Sequence, residues 1–387
     1  MGKGSKNKKR ISIFILMDAL GWTYVKDSDF LKNEAEVKMP VKSILGFSSA
    51  AIPTILTGKM PDEHGFWSLF LRNEEGSPFA WSRSAGTLLK LIPRRAARKA
   101  VEEVSKRYHG YTGYFETYLI PLDELPNYDI SERRSIYSPG GLEPSTSIFD
   151  LWEASGLNYK SLSYKNGTDE ELFRQGTEAL KGGALDTLFI YLSGMDAFLH
   201  AGCKDKEAFN KKLADYEEKI LKLFNSAKDS YDEVRWFLFS DHGMTPTLET
   251  VDLMKEVKKA GLVHGTDYKA FYDSTMARFW FKDRGARDAL LERLDGFDFG
   301  RWLGEEEREG LGLNFTDNRY GDEVFLMRPG SIIEPSYMGD KAPDGMHGFH
   351  PDDEYADASF FTNVDNGYRP ERITAFFDVM REETLGL

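Results

Sequence analysis

The chain places an aspartate just past the end of three apolar runs rich in β-branched and aromatic residues: Asp18 after Ile11–Met17, Asp196 after Asp186–Ser193, and Asp241 after Val234–Ser240. Such runs are typical of strands buried on both faces. In a doubly wound sheet, the carboxyl ends of the strands face one ligand crevice. Carboxylates that meet there raise one another's pKa, so a cation has to offset their charge. The pattern predicts a cation site at this edge.

Three histidines add nitrogen ligands to these carboxylates. His200 lies four residues after Asp196, so on a helix both side chains project from one face. His242 follows Asp241 directly, and His347 lies in a late segment rich in glycine. Nitrogen and oxygen ligands together suit two divalent metal ions. Zn²⁺ is the first choice because of the histidines, and Mn²⁺ or another first-row metal is the second.

Ser48 is the candidate nucleophile. Residues 46–58 predict a loop that enters a helix near Ser49, with Pro53 tolerated in its first turns. A serine at a helix N-terminus lies beside free backbone N–H groups and the positive end of the helix dipole. Both favour an alkoxide and an incoming phosphoryl oxygen, and a metal ion on the serine oxygen would lower its pKa further.

Helical patterns separate the strand-like runs. Residues 204–230 are charged, and their apolar positions follow helical spacing: Phe209, Leu213, Tyr216, Ile220 and Leu223. A weaker strand candidate lies around Tyr159–Tyr164. The alternation of strand and helix predicts an α/β fold in which helices flank a doubly wound, mostly parallel sheet.

Two stretches break this alternation and predict insertions over the sheet. Residues 67–144 mix aromatic residues and turns with a basic helical segment, Pro93–Arg107. Residues 251–340 predict a smaller inserted cap or lid domain, with strand candidates at Ala277–Phe281 and Glu323–Met327 and a charged helix near Ala286–Leu294. A chain of 387 residues also exceeds the size at which a single core stops growing. We therefore expect a basic flexible tail over residues 1–10 and a catalytic domain built from residues 11–250 and 341–387.

Composition limits the partners. The net charge of −13 repels nucleic acid and anionic lipid, which favours a small-molecule partner. The only cysteine, Cys203, excludes a disulfide framework and fits a reducing compartment. Basic residues precede Ile11–Met17, as in a signal peptide, but this run stops at Asp18 and no cleavage site follows. No apolar stretch approaches the ~18–20 residues of a membrane span. We expect a cytoplasmic protein.

The order of these segments resembles the alkaline phosphatase superfamily, in particular its nucleotide pyrophosphatase/phosphodiesterase branch. The matching segments are Leu16–Gly21, the Ser48 segment that ends Leu56-Thr57-Gly58, Met60–Gly65, Asp196-x-x-x-His200, Ser240–Met244 and His347-Gly348. They span positions 16 to 348. Their joint order is much more specific than any one of them.

The resemblance implies an alkaline-phosphatase-like fold, two metal sites and a covalent mechanism. One metal would be held by Asp18, Asp241, His242 and the Ser48 oxygen, and the other by Asp196, His200 and His347. Ser48 would attack phosphorus and form a phosphoserine-type intermediate. The insertion before His347 would correspond to the superfamily's lid-like domain.

The chain departs from the family pattern after the nucleophile. Phosphodiesterases usually have Pro and Asn two and three residues after it, where this chain has Ala50 and Ala51. The missing Asn removes a donor to the transferred phosphoryl group, which leaves the substrate open. Sulfatases require Pro and Arg where this chain has Ala50 and Ile52, which argues against a sulfatase.

A phosphate monoester carries one more negative charge than a diester, and enzymes that hydrolyse monoesters often neutralise it with an arginine beside the nucleophile. None lies between Ser48 and Gly58, which favours a diester. Arg278, Lys165 or Arg328 could still supply a cation from an insertion. Aromatic residues of the first insertion could stack a base or a sugar, although core packing is their commoner use: Phe66, Trp67, Phe70, Phe79, Trp81, Tyr111, Tyr114 and Phe115.

We therefore expect a metal-dependent phosphoric ester hydrolase of the phosphodiesterase/nucleotide pyrophosphatase type, acting on a small-molecule phosphate ester or a nucleotide-like substrate. Within enzymes, the alternative is a phosphomonoesterase, or a phosphotransferase or mutase on the same scaffold. The alternative of another class is a catalytically inactive, metal-containing binding protein. Each motif alone has an ordinary explanation, such as a helix cap for Asp18 or a surface pair for Asp196 and His200. Their joint order favours the metal site.

Overall fold

A computed structural model of the protein describes residues 9–84 and 94–387. Residues 1–8 of the predicted basic tail, and Pro93 of the predicted basic helix, lie outside the described residues. The strands are β1 Arg10–Met17, β2 Val37–Val41, β3 Phe70–Arg72, β4 Tyr128–Ile130, β5 Tyr159–Leu162, β6 Thr187–Leu192, β7 Glu233–Phe239, β8 Thr245–Pro246, β9 Glu249–Val251, β10 Tyr268–Tyr272, β11 Met276–Phe281, β12 Gly300–Trp302, β13 Glu323–Met327, β14 Ser331–Ile333, β15 Gly345–Met346 and β16 Ala358–Thr362.

The α-helices of the described residues are distributed along the whole chain. They are α1 Trp22–Val25, α2 Ser48–Thr57, α3 Pro61–His64, α4 Arg94–His109, α5 Ile148–Ala154, α6 Asp169–Leu180, α7 Gly194–Gly202, α8 Lys206–Lys228, α9 Leu253–Lys258, α10 Arg284–Leu294, α11 Glu305–Gly310 and α12 Ala375–Leu385. The predicted helix over residues 204–230 is confirmed as α8, and the basic helix as α4. No helix among the described residues is both long enough and apolar enough to cross a bilayer.

A six-stranded sheet in the order β2-β16-β7-β1-β6-β5 forms the centre of the fold. Strands β5, β6, β1 and β7 are parallel, whereas β16 is antiparallel to both β7 and β2. The predicted doubly wound, mostly parallel sheet is therefore confirmed. The three apolar runs that precede the aspartates form its adjacent strands β7, β1 and β6, so the ends of these strands lie side by side.

Alternate residues of β1 enter two different cores because successive side chains of a strand point to opposite faces. Phe14 and Leu16 pack with residues of α2, α5 and α12 on one face. Ile13 and Ile15 pack with residues of α6, α7 and α8 on the other. This burial on both faces explains why the strand reads as a continuous apolar run.

The chain between β7 and β16 forms a second, antiparallel sheet in the order β10-β11-β13-β12. Its strands β11 and β13 and the helix α10 confirm the elements predicted in this stretch. The segment that contains β3, β4 and α4 shares a hydrophobic core with this sheet, in which Phe70 and Phe79 pack with Phe271 and Phe279. The two stretches that break the strand–helix alternation thus pack against each other. The proposed domain limits at 251 and 340 stay a prediction.

Ile190 tests the central packing. It lies in β6, fully buried, with Ile15 of β1 and Leu162 of β5 as its register partners. We expect Ile190→Ala to lower the free energy of unfolding by about 3 kcal/mol, since the substitution leaves a cavity. Urea unfolding measures this change. The exposed control Lys206→Ala is expected to stay within about 0.5 kcal/mol of wild type, and an equal effect of both variants would contradict the assigned burial.

Candidate metal centre and active site

One group of ligating side chains gathers where β1 and β7 end. Asp18 follows β1 directly, and Asp241 and His242 follow β7 after Ser240. One ligand atom from each of Asp18, Asp241 and His242 lies within 4.8 Å of the others, and all three residues are buried. The two strands pair in parallel, so residues far apart in sequence meet at one edge.

A second group lies beside the first. Asp196 and His200 project from one face of α7, which begins just after β6, and His347 follows β15. Asp196 Oδ1 is 3.2 Å from His200 Nε2 and 3.5 Å from His347 Nε2. The ring of His347 also stacks on that of His242, with the ring centroids 3.8 Å apart. The predicted ligands therefore form two adjacent groups in one place.

Ser48 lies at the first group. It is the first residue of α2, which begins one residue earlier than the sequence suggested. Its Oγ is 3.1 Å from His242 Nε2 and 3.5 Å from Asp18 Oδ1. Among the described residues, no side chain caps the first turn of α2. The hydroxyl thus meets the positive end of a helix whose first N–H groups remain available to an anion.

Backbone carbonyls set the orientation of two histidine rings. His200 Nδ1 lies 2.8 Å from the carbonyl oxygen of Gly345, and His242 Nδ1 lies 2.9 Å from that of Gly243. A carbonyl accepts only, so each Nδ1 is the donor, and each Nε2 is the nitrogen that would bind a metal ion. Both Nε2 atoms face carboxylates. His200 Nε2 lies 3.2 Å from Asp196 Oδ1, and His242 Nε2 lies 3.2 Å from Asp241 Oδ2.

The carboxylates beside these rings are not fully satisfied by hydrogen bonds. Asp196 Oδ1 and Asp241 Oδ2 are buried and have no hydrogen-bond partner among the described residues. An unsatisfied buried polar atom costs about 1–3 kcal/mol. A cation between the nitrogen and carboxylate lone pairs would satisfy both. The residues present therefore fit the divalent metal ions that the family resemblance implies.

The electrostatics of the groups also require positive charge. Burial raises the pKa of Asp18 well above its ordinary value, and the charges of Asp241 and Asp196 raise it further. Burial likewise raises the pKa of Asp241 to about 7, although the amide of Ala19 opposes the shift. Burial lowers the pKa of His347 well below its ordinary value, as do the neighbouring imidazoles. The protein alone thus lacks the positive charge that would keep these carboxylates ionised.

Two further residues hold the ligands in place, and sequence reasoning missed both. The Tyr191 hydroxyl donates to Asp18 Oδ2. The Asp169 carboxylate accepts from the amide of Gly194 at 2.9 Å and from the Tyr216 hydroxyl, which fixes the start of α7. In sequence, Tyr191 is one more aromatic residue in a buried strand and Asp169 one of several acids at a helix start. Neither sequence pattern indicates which residue the side chain contacts.

A cavity of about 630 Å³ opens beside Ser48 and both ligand groups. Its walls include Tyr114 and Glu132 from the 67–144 stretch and Lys341 from the stretch before β15. The three cations suggested from sequence lie elsewhere. Arg278 is fully buried and paired with Asp273 at 2.9 Å, Arg328 is paired with Glu249, and the Lys165 ammonium donates to the Thr112 carbonyl. Sequence reasoning missed Lys341 and Glu132.

Half of the eight aromatic residues considered for stacking on a substrate are buried, and the other half are partly buried against the core. Phe66, Trp67, Phe70 and Phe79 are buried. Tyr114 lines the cavity, together with other tyrosines that the sequence did not single out: Tyr118, Tyr137, Tyr164 and Tyr191.

Several solved structures share this fold over nearly the whole chain. Human ectonucleotide pyrophosphatase/phosphodiesterase 5 aligns with a TM-score of 0.67 at 13% identity, over 96% of this chain and 94% of that one. An inactive variant of the murine enzyme in complex with AMP aligns with a TM-score of 0.67 at 15% identity, with the same coverage. Phosphonoacetate hydrolase from Sinorhizobium meliloti, in complex with phosphonoacetate, aligns with a TM-score of 0.63 at 13% identity, over 97% and 96%. At these identities the likeness concerns the fold, and it confirms the alkaline-phosphatase-like architecture.

The fold and the clustered ligands thus define a protein of the alkaline phosphatase superfamily. A family model for type I phosphodiesterase / nucleotide pyrophosphatase matches residues 12–350, and the chain belongs to this family. It is a hydrolase that acts on phosphoric esters, as the sequence predicted. A comparison with curated proteins finds no match.

Glu132 makes the stability of the protein depend on pH. Burial raises the pKa of this carboxyl from 4.5 to about 7, against the amide of Tyr114 and the charge of Lys165, which lower it. The folded protein therefore binds the proton more tightly than the unfolded chain does. Ionisation of Glu132 destabilises the fold as the pH rises from 4.5 to about 7. We expect Glu132→Gln to be more stable than wild type at pH 8, by on the order of 3 kcal/mol, and close to wild type near pH 4.

Urea unfolding at several pH values measures this difference. The variant Glu371→Gln is the matched control, because it makes the same substitution at an exposed position. A stability difference for Glu132→Gln that stays constant with pH would contradict the raised pKa of Glu132.

Proposed function

We propose that this chain hydrolyses phosphate esters through Ser48 at a site with two divalent metal ions. One ion would be held by Asp18, Asp241, His242 and the Ser48 oxygen, and the other by Asp196, His200 and His347. The observation that carries the proposal is the position of the Ser48 hydroxyl, 3.1 Å from His242 Nε2 in the first of two adjacent ligand groups. Zn²⁺ is the first choice of metal and Mn²⁺ the second, because both accept nitrogen and oxygen ligands.

When bound, the two ions would lower the pKa of the serine hydroxyl and offset the charge of the phosphoryl group. The chain itself positions the reacting atoms. Ser48 Oγ attacks phosphorus as the bond to the leaving oxygen breaks, and a phosphoserine results. Water then cleaves the bond between Ser48 and phosphorus, which releases the phosphate product and restores the hydroxyl. The N-terminus of α2 would support both negatively charged transition states, since the positive end of the helix dipole lies at the serine.

The cavity favours a substrate with a sizeable organic group. Its volume of about 630 Å³ exceeds what a phosphate group alone would fill. Arg278, Lys165 and Arg328 are not among its lining residues, so the extra charge of a monoester lacks an arginine partner there. Lys341 lines the cavity and is the candidate contact for a phosphate oxygen. We therefore favour a small-molecule phosphodiester or a nucleotide-like substrate over a monoester, with residues 251–340 as a cap over the cavity.

Ser48→Ala tests the nucleophile. We expect the variant to hydrolyse bis-p-nitrophenyl phosphate at least ~1,000-fold more slowly than wild type, because no other oxygen replaces the attacking one. It should keep most of its metal, since six ligating side chains remain. Initial rates and elemental analysis measure the two properties. Ser49→Ala, which removes the neighbouring hydroxyl of the same helix turn, is expected to lose much less activity. Wild-type rates in Ser48→Ala would contradict the assignment.

Removal of the metal tests the ligand groups. A chelator is expected to abolish turnover, and Zn²⁺ or Mn²⁺ to restore it, because the buried carboxylates lose their counter-charge without metal. Asp241→Asn should lower the metal content from two ions per chain to about one. The exposed variant Asp295→Asn should leave the metal content unchanged.

Two results would argue against this function. Full activity of metal-free protein would exclude the proposed chemistry. Two bound metals with no hydrolysis of either bis-p-nitrophenyl phosphate or p-nitrophenyl phosphate would favour a metal-containing binding protein. Faster hydrolysis of the monoester than of the diester would favour the phosphomonoesterase.

A further inference from the structure

The basic helix α4 has an exposed outer face that the proposed chemistry does not use. The inner side of the helix packs into the core that the two insertions share, where Ala97 and Val101 are fully buried. Trp81 Nε1 also donates to Ser105 Oγ on this side, at 3.0 Å. The inner side therefore accounts for how α4 is held on the protein, and the outer face requires a separate explanation.

The outer face of α4 carries a row of apolar residues. Its members are spaced by four positions, so they lie along one side of the helix: Ala96, Ala100, Val104 and Tyr108. Val104 is 47% exposed and Tyr108 is 82% exposed. Packing within the chain thus does not explain these two side chains. Apolar residues along the exposed side of a charged helix are typical of a surface that binds an apolar partner.

The same helix carries an excess of positive charge. Residues 94–109 contain six Lys or Arg and two Glu residues, a net charge of +4 in a chain whose net charge is −13. Glu102 accepts hydrogen bonds from Thr117, and Glu103 pairs with Arg107 at 3.5 Å. Three basic side chains of the helix form no salt bridge with any described residue: Arg95, Lys99 and Lys106.

A bilayer that contains anionic lipid matches both features of this face. Clusters of Lys and Arg on an amphipathic helix are attracted to anionic headgroups. Apolar side chains and tyrosine enter the boundary between the headgroups and the acyl chains. A nucleic acid would match the charge but not the apolar row. The acidic remainder of the chain has little effect on this face, because salt screens exposed charges beyond about 8 Å at physiological ionic strength.

The chain that follows α4 leads into the wall of the substrate cavity. Tyr114 and Tyr118 lie within ten residues of the end of the helix, and both line the cavity. Burial lowers the pKa of Lys165, and the charge of Lys106 lowers it further, against the charge of Glu132 in the cavity wall. A surface bound at α4 would therefore lie on the same insertion that forms part of this wall.

We propose that the outer face of α4 docks the protein on a bilayer that contains anionic phospholipid. The basic side chains would contact the headgroups, and Val104 and Tyr108 would enter the boundary with the acyl chains. This inference goes beyond the proposed hydrolysis and is independent of it, since docking uses neither Ser48 nor the metal ligands.

Co-sedimentation with vesicles tests the docking. The wild-type protein should bind vesicles of phosphatidylglycerol and phosphatidylcholine at least ~10-fold more tightly than vesicles of phosphatidylcholine alone. Salt at about 0.5 M should weaken binding to the anionic vesicles, because it screens their charge. Arg95→Glu combined with Lys99→Glu should reduce the affinity for them at least ~10-fold. Lys206→Glu combined with Lys211→Glu is the matched control, which makes the same change at exposed positions of α8 and should keep most of the binding.

A second variant separates a bilayer from other polyanions. Val104→Ser combined with Tyr108→Ser keeps the charge of α4, and it should weaken vesicle binding several-fold without changing the binding of a DNA oligonucleotide. Thermal unfolding should match that of wild type for every variant, since all substituted positions are exposed.

Three results would overturn the proposal. The first is a wild-type protein that does not bind the anionic vesicles. The second is vesicle binding that the charge-reversed α4 variant retains, which would assign it to another basic part of the chain such as residues 1–10. The third is an oligonucleotide that binds more tightly than the vesicles, with neither affinity changed by Val104→Ser and Tyr108→Ser, which would favour a nucleic acid.

Discussion

Buried carboxylates gathered beside histidine rings impose the main physical constraint on this protein. Asp18 and Asp241 lie in the interior, with Asp196 beside them, and the hydrogen bonds of the chain leave Asp241 Oδ2 and Asp196 Oδ1 unsatisfied. Such an arrangement is stable as an ionised cluster only with added positive charge. The metal ions that we propose would supply that charge, and the same charge would activate Ser48.

The central sheet meets this constraint through the order of its strands. Because β7, β1 and β6 are neighbours, the residues that follow them are brought together without long connections. The supporting hydrogen bonds are equally local. The carbonyls of Gly243 and Gly345 orient the histidine rings, Tyr191 holds one oxygen of Asp18, and Asp169 holds the start of α7. The ligands are therefore positioned before any cation binds, as catalytic sites require.

The two long insertions contribute to the substrate cavity instead of the metal ligands. They share one hydrophobic core and together supply about half of the residues that line the cavity, including Tyr114 and Glu132. Under the proposed function, the groups at the sheet edge and Ser48 of α2 would act on phosphorus, and the insertions would contact the rest of the substrate. The chain keeps the family's sheet-end motifs, whereas Ala50 and Ala51 of α2, beside the candidate nucleophile, depart from the family pattern.

The sequence by itself determined the parts that depend on local pattern. Apolar runs located β1, β6 and β7, helical spacing located α8, and the position of each aspartate after its strand placed the carboxylates at one edge. The geometry of parallel sheets guarantees that result once the strands are known. Only the tertiary structure decided the substrate cavity. Glu132 and Lys341 are unremarkable in sequence because their place in the cavity wall depends on neighbours from other segments. Arg278 shows the same limit, since its ion pair with Asp273 keeps its charge in the core instead of the cavity.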